Sequence, residues 1–369
     1  MSEYDKDLWM ACSRINELSP MVVGIATTAG QSAVTHLIYE ALRGSFRVHS
    51  TVLNTDSFQE GCCEMASAPD GTEVLLLELR AKRQGEIGKL VRLFPVSYGV
   101  ITDEAHLEAE IAESPSLACL FYNKDNDSLT NAVALLGDSG RRIKKIGVGF
   151  ADADVKISDV RQNVSSLGEL ELSAFIAHNG EKYWCSAKIF GRQNARNMAI
   201  AFSVAMELGV HPDDIRSRMA QIGVPSGCGR IHKTEGGGFL IDESCGATPD
   251  SVSHSQKNII ELETPGGFQK FAILGGMREL GIKSLYWHEV VMSRASLLDG
   301  VYLIGSEWNG VVTEQSSLKG RWADADGFMR DFDPRSLSAS VTLLKGPAFY
   351  GMSKILNLLS LQLEARGCR

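Results

Sequence analysis

The stretch Met21–Val34, MVVGIATTAGQSAV, passes from an apolar run into small residues and then into the helical pattern of Thr35–Arg43. A strand that ends in such a turn and feeds a helix is the layout of a phosphate-cradling loop. The turn's backbone N–H groups and the helix N-terminus then face one anion. Thr28, Ala29, Gly30, Gln31 and Ser32 are therefore the candidates for nucleotide phosphate contact. The P-loop signature needs Gly-Lys followed by Ser or Thr, and here Gln31 stands between Gly30 and Ser32. The lysine that reaches the β/γ-phosphates is absent, and the same pattern also fits a strand-to-helix turn that binds nothing.

The elements around this loop alternate. Asp5–Leu18 reads as an amphipathic helix stopped by Pro20, and Glu73–Leu79 and Val96–Thr102 are continuous apolar runs of the kind that suits buried parallel strands. Helical patterns occupy Gly85–Phe94 and Ala105–Ala112, and Ala118–Tyr122 and Lys145–Phe150 continue the strands. This alternation predicts a doubly wound α/β sheet. Val155–Ala187 changes to short alternating segments and predicts antiparallel hairpins, with Asn179-Gly180 as a turn. Helices follow over Gln193–Glu207 and Asp213–Ile222.

After the Gly/Pro/Ser-rich residues 224–229 the strand pattern restarts at Phe239–Glu243, Lys270–Gly275, Gly300–Gly305 and Ser340–Lys345. The restart sets a domain boundary near Gly227, so the expected division is an N-terminal helix in residues 1–20, a first α/β domain over 21–227 and a second over 228–369.

The 369 residues are 44% hydrophobic and 22% charged, the balance of a folded chain rather than a disordered one. Lys plus Arg number 37 against 45 Asp plus Glu, a net charge of −8 with no basic block, so a nucleic-acid surface is not indicated. The eight cysteines lack the paired spacing of a zinc site and read as reduced thiols. Acids occupy the N-terminal positions where a signal peptide needs bases, and no apolar run approaches bilayer length. The expected location is the cytoplasm, without membrane attachment.

The segments FGRQNARNMAIAFSVAMELGV, GRIHK, LIDESCGATPDSV, ILGGMRELG with His288 beyond it, and LLKG follow one another in the order of a known set of motifs. In these motifs, spread over most of the chain from Met21 onward, the sequence resembles the Mur ligase family, nearest its D-alanyl-D-alanine-adding branch. The resemblance implies a P-loop-type, mainly parallel sheet domain followed by a Rossmann-like C-terminal domain. It also implies ATP-dependent amide formation, in which a carboxylate is phosphorylated and an amine attacks the acyl phosphate. Only Met1–Pro20 precede the first strand, so the family's N-terminal substrate domain is not expected, nor a UDP-muramoyl substrate.

Roles follow from the resemblance one residue at a time. Ser32 and Glu78 would ligate Mg²⁺ and His106 a second metal; a hydroxyl, a carboxylate and an imidazole are chemically reasonable ligands for such ions. An ordinary cap, a solvated carboxylate and a surface histidine are the alternative reading. Asn197, with Asn194 nearby, falls on the helix that contacts adenine, Asp242 on the acid that contacts the nucleotide, Arg230 on the hinge arginine near the phosphates and Lys345 on the C-terminal lysine. Glu78, His106, Arg230 and Lys345 are thereby the implied catalytic set.

Several positions depart from the family. Besides Gln31, Thr27 replaces a loop glycine, the segment that would supply a metal-binding lysine after His106 is absent, Pro347 replaces a serine, and the 242–249 loop has lost an aromatic residue and two asparagines. Removing one cation from a phosphoryl-transfer site costs about 10²- to 10³-fold in rate. Arg80, Lys82 and Arg83 follow Glu78 directly and either replace that charge or form a solvated basic loop. Two expectations stand: an ATP-dependent ligase of a small carboxylate and an amine with an impaired or rewired site, or a degenerate pseudoenzyme that binds nucleotide or scaffolds a protein partner.

Overall fold

A computed structural model describes residues 3–27, 33–54, 58–80, 85–102, 110–136, 142–165, 168–264, 267–312 and 317–363. The chain divides into two compact units. One comprises Met1–Val160, Ala174–Ser186 and Ala195–Ile222, and the other Arg161–Ser173, Ala187–Asn194 and Gly223–Arg369.

The first unit opens with α1 (Glu3–Leu18), β1 (Met21–Thr27), α2 (Ala33–Leu42), β2 (Val48–Asn54), α3 (Phe58–Ala66), β3 (Val74–Arg80) and α4 (Glu86–Leu93). It continues through β4 (Tyr98–Ile101), β5 (Cys119–Asn123), α5 (Asp127–Leu135) and β6 (Lys144–Gly149). Then come β7 (Val155–Val164) and β8 (Leu170–His178), of which Arg161–Val164 and Leu170–Ser173 count with the second unit, and β9 (Glu181–Ala187), followed by α6 (Asn194–Glu207) and α7 (Pro212–Met219). The described strands β1 to β9 form a sheet in the order β2-β3-β1-β4-β5-β6-β7-β8-β9, with β2 through β6 parallel.

Period-two alternation sorts β3 between the two faces of this sheet. Leu75, Leu77 and Leu79 enter a core with Phe58, Cys62 and Met65 of α3 and Ile87, Leu90 and Val91 of α4. Leu76 and Glu78 take the opposite face. There α2 buries Val34, Leu37, Ile38 and Ala41, one stripe of a 3.6-residue period. At the far end Asn179 and Gly180, with φ of 52° and 84°, make the tight turn from β8 to β9 that the Asn-Gly pair predicts.

The second unit contains β10 (Arg230–Lys233), β11 (Phe239–Glu243), α8 (Pro249–Glu261), β12 (Gln269–Gly275), α9 (Ser284–Ala295), β13 (Gly300–Ile304), β14 (Leu318–Trp322), α10 (Ala325–Asp331), β15 (Ser340–Lys345) and α11 (Met352–Leu363). Its sheet runs β10-β11-β15-β12-β13-β14, parallel throughout except for β10. Alternation again splits the strands. Phe239, Ile241, Ala272, Leu274 and Leu343 pack against α8 and α9, while Leu240, Ile273 and Leu344 pack against α10 and α11. The second unit is therefore doubly wound, and the protein is mixed α/β with large, mainly parallel sheets. Thr248 and Ser251 start α8 as a reciprocal capping box ahead of Pro249. No helix among the described residues is long and apolar enough to cross a membrane.

Candidate functional site

In open α/β sheets, ligands settle beyond the carboxyl ends of strands where the winding reverses. In the first unit that strand is β1: its following helix α2 lies on one face, whereas α3 and α4, which follow its neighbours in the winding, lie on the other. The residue beside its end is Glu78, opposite Ile25 of β1 and Val52 of β2 in register. Arg80 lies opposite Thr27 and Asn54.

Glu78 and Arg80 are two apart on one strand, so both side chains leave the same face. Arg80 donates Nε–H and Nη2–H to Oε1 of Glu78 at 2.9 and 2.8 Å. The carboxylate is 5% exposed and the guanidinium side chain 29%. A charge-assisted pair thus sits at the end of a buried strand, with the arginine on the solvent side. The loop candidates Thr28, Ala29, Gly30, Gln31 and Ser32, the basic residues Lys82 and Arg83, and His106 lie outside the described residues. Asn197 is half-buried in α6.

Glu110, which the sequence does not single out, is buried and accepts N–H bonds from Gly85 at 2.6 Å and Gly88 at 3.1 Å. It thereby supplies the anion at the N-terminus of α4 from within the chain.

The implied Mg²⁺ can be tested against this arrangement. Oε1 of Glu78 is taken by two N–H donors of a permanent cation, so a divalent ion would have only Oε2 and would sit against the guanidinium at like charge. Among the described residues there is also no group of three or more His, Cys, Asp or Glu side chains able to hold a metal. As described, Glu78 offers a divalent ion one oxygen beside a fixed positive charge, a poor fit.

In the second unit the winding reverses at β15, which lies between β11 and β12 yet sends its helix to the opposite face. Lys345 ends this strand opposite Glu243 of β11. Its Nζ lies 3.6 Å from Glu243 Oε2, with both side chains nearly buried, and the Ser255 hydroxyl of α8 donates to the same carboxylate oxygen. Gly275 and Gly346 let the ends of β12 and β15 approach: a Cβ at Gly346 would come within 2.9 Å of the Gly275 Cα.

Beyond β12, His288 of α9 is fully buried. Its Nε2 accepts the Met277 N–H at 3.0 Å, and Nδ1–H donates to Ser284 O at 2.7 Å. These two bonds fix the neutral tautomer, and burial holds the imidazole below its ordinary value of 6.5. His288 is thus a strut for the turn after β12. At the mouth of the same edge the exposed Arg278 guanidinium stacks 4.0 Å from the Phe349 ring centroid.

Asp242, expected to contact nucleotide, is fully buried. Its carboxylate accepts from the Ser226 hydroxyl and the Gly227 N–H at 2.6 Å each, and from the Ser244 hydroxyl and N–H at 2.5 and 3.1 Å. Gly227 reaches this position with φ of 83°. Four donors bind the turn before β10 to the end of β11. Arg230 stands opposite Asp242 in the β10–β11 ladder, but its side chain is exposed. Asn194 is buried and donates its amide to Phe190 O at 2.7 Å.

Of the sequence candidates, the structure brings Glu78 to Arg80. Lys345 meets Glu243, which lies inside the LIDESCGATPDSV motif but without an implied role there. Glu243 could have been found only by noticing that it ends a strand directly after Asp242.

Comparison with known proteins shows what this arrangement is similar to. The profile described as "Mur ligase middle domain" matches residues 25–205. The chain is 25% identical over 288 residues to the UDP-N-acetylmuramoyl-tripeptide–D-alanyl-D-alanine ligase of Bacillus subtilis (strain 168), covering 74% of this chain and 59% of that relative. The identically named protein of Mycobacterium leprae is 22% identical over 361 residues, covering 88% and 68%.

Among solved structures, the MurF ligase from Thermotoga maritima in complex with ADP superposes with a TM-score of 0.79 at 20% identity, covering 98% of this chain and 84% of that one. Folylpolyglutamate synthase from the same organism gives 0.65 at 12% identity, covering 96% and 93%. At these identities the structural likeness establishes the fold, and the chain is similar to the Mur ligases over residues 25–205.

Proposed function

We propose that this Mur-ligase-like protein is an ATP-dependent carbon–nitrogen ligase that joins a small carboxylic acid to an amine in a biosynthetic pathway of the cytoplasm. The observation that carries the reading is the middle-domain match over residues 25–205, which spans β1 to α6 and includes the strand end that holds Glu78. In the reaction, a carboxylate oxygen of the acid attacks the γ-phosphorus and ADP leaves. The amine nitrogen then attacks the acyl carbon, and phosphate leaves as the C–N bond forms.

The reading assigns nucleotide binding to residues 21–227 through Thr28–Ser32, Asn194 and Asn197, and the amine side to residues 228–369. There Lys345, held by Glu243 at the end of the switch strand, would orient an anionic group of a substrate. No step is assigned to a divalent cation at Glu78.

One observation favours a second reading, a degenerate pseudoenzyme that binds nucleotide or a protein partner without turnover: Arg80 already neutralises the carboxylate that the ligase chemistry would use. Release of ADP and phosphate from ATP, measured with panels of carboxylic acids and amines, separates the two. Turnover that needs both an acid and an amine and falls at least ~10-fold in Lys345→Ala supports the ligase. Nucleotide binding with no turnover in any combination supports the pseudoenzyme.

A further inference from the structure

Accepting that nucleotide binds the first unit, we infer that Arg80, oriented by Glu78, is itself the phosphate-binding cation of that site, so that nucleotide binding does not depend on a divalent ion. The inference starts from the geometry at the end of β3. Nε–H and one Nη2–H of Arg80 go to a single oxygen of Glu78, at 2.9 and 2.8 Å. A guanidinium has five N–H donors in a fixed plane, so three remain after this pair is made. The carboxylate is sunk in the sheet and the guanidinium is the more exposed partner, so the unused donors belong to the side chain on the solvent side.

Thr27 of β1 is the register partner of Arg80. The cation therefore leaves the sheet beside the strand end that precedes residues 28–32 in the chain. An arginine pinned at one edge by a carboxylate loses little rotamer freedom when it takes up an anion at the other, and planar recognition of phosphate oxygens is what the guanidinium does best. Glu78 then acts as a positioning residue rather than a metal ligand. A divalent ion at the same carboxylate would have to displace the guanidinium or sit against it at like charge.

The two roles for Glu78 predict opposite mutational patterns. If Arg80 is the phosphate-binding group, Arg80→Ala weakens ATP and ADP binding by ~10- to 100-fold, the worth of a charge-assisted hydrogen-bonded contact, and Arg80→Lys gives an intermediate loss. Glu78→Gln, which still offers an oxygen to the guanidinium, costs less than ~5-fold. If Glu78 is a metal ligand, Glu78→Gln abolishes Mg²⁺-supported binding and Arg80→Ala leaves it intact or improves it.

The experiment is calorimetric titration of the full chain with ATP and ADP, in Mg²⁺ and in EDTA, on the wild type and these variants. Arg80→Lys and a thermal melt guard against a misfolded Arg80→Ala. Manganese electron paramagnetic resonance supplies a second readout that needs no nucleotide. The expected result is wild-type affinity equal within ~3-fold with and without Mg²⁺, Mn²⁺ that remains free in solution, and the loss in Arg80→Ala. Binding that disappears in EDTA, Mn²⁺ held by the wild type but not by Glu78→Gln, or Arg80 variants with wild-type affinity would each overturn the inference while leaving the nucleotide reading in place. No binding of either nucleotide under any condition overturns both.

Discussion

Each unit places a carboxylate beside the strand where its sheet reverses, and the two carboxylates are neutralised in different ways. Glu78 is held by Arg80, its neighbour two residues along the same strand, whereas Glu243 is held by Lys345 from the adjacent strand and by Ser255 from a helix. The first pair is local and has its cation at the solvent side. The second is assembled from three elements, with Lys345 distant in sequence from Glu243 and Ser255 and both charges nearly buried. Burial raises the cost of losing a partner, so the second pair is bound to the integrity of its unit. The first can give up part of its hydrogen bonding to a ligand without unfolding anything.

The comparison is tested most severely at Lys345. Lys345→Ala leaves Glu243 buried with only a hydroxyl, and urea unfolding should report a loss of about 3 kcal/mol. Combining Lys345→Met with Glu243→Gln should recover more than half of it, since removing both charges also removes the desolvation cost. A single-mutant loss below about 1 kcal/mol would mean that the pair is not buried in solution.

Asp242→Asn comes next: one oxygen acceptor of a fully buried, four-donor carboxylate becomes an amide, and the expected cost is about 2 kcal/mol in the same assay. Arg80→Ala should cost about 1–2 kcal/mol, because truncating the partly exposed guanidinium opens the buried Glu78 carboxylate to water. That loss should shrink in 0.5 M salt, whereas the Lys345 effect should not. Equal salt sensitivity at the two sites would erase the distinction.

The smallest effect is a pH slope. Burial holds His288 below 6.5 in the fold, so below that value the unfolded chain binds more protons than the native one. Its contribution to stability is present above pH 6.5 and is lost as pH falls from there toward the lowered native value. Thermal melts of His288→Gln should therefore show a flatter decline than the wild type below pH 6.5. A remaining slope is expected from His178 in the first unit, whose imidazole burial also holds down.

How much of this was legible in the sequence depended on whether a feature was local. The buried runs of β1, β3, β12, β13 and β15 announce themselves because strands covered on both faces are apolar at every position. β2 does not: VHSTVLN interleaves His49, Ser50 and Thr51 with apolar residues, as an edge strand of the sheet can. Helices α3 and α5 are short and were hidden for a related reason, since their few buried positions are interrupted by polar and charged residues. Asn179-Gly180 was read correctly because a tight turn is written in two adjacent residues.

By itself the sequence determined the alternating α/β pattern, the small-residue stretch without its lysine, and the position of Glu78 near the end of a buried run, with Arg80 expected in the loop beyond it. Each of these follows from backbone geometry over a few residues. Tertiary structure decided the rest. That Arg80 turns onto Glu78, that Asp242 faces inward to Ser226, Gly227 and Ser244 while Arg230 faces out, and that Lys345 meets Glu243 all depend on which strands become neighbours and which side chains lose their water. The hydrophobic pattern does not encode that choice at the polar ends of strands. There the partner of a charge is set by sheet order, and β15 lies beside β11 although β12, β13 and β14 come between them in the chain.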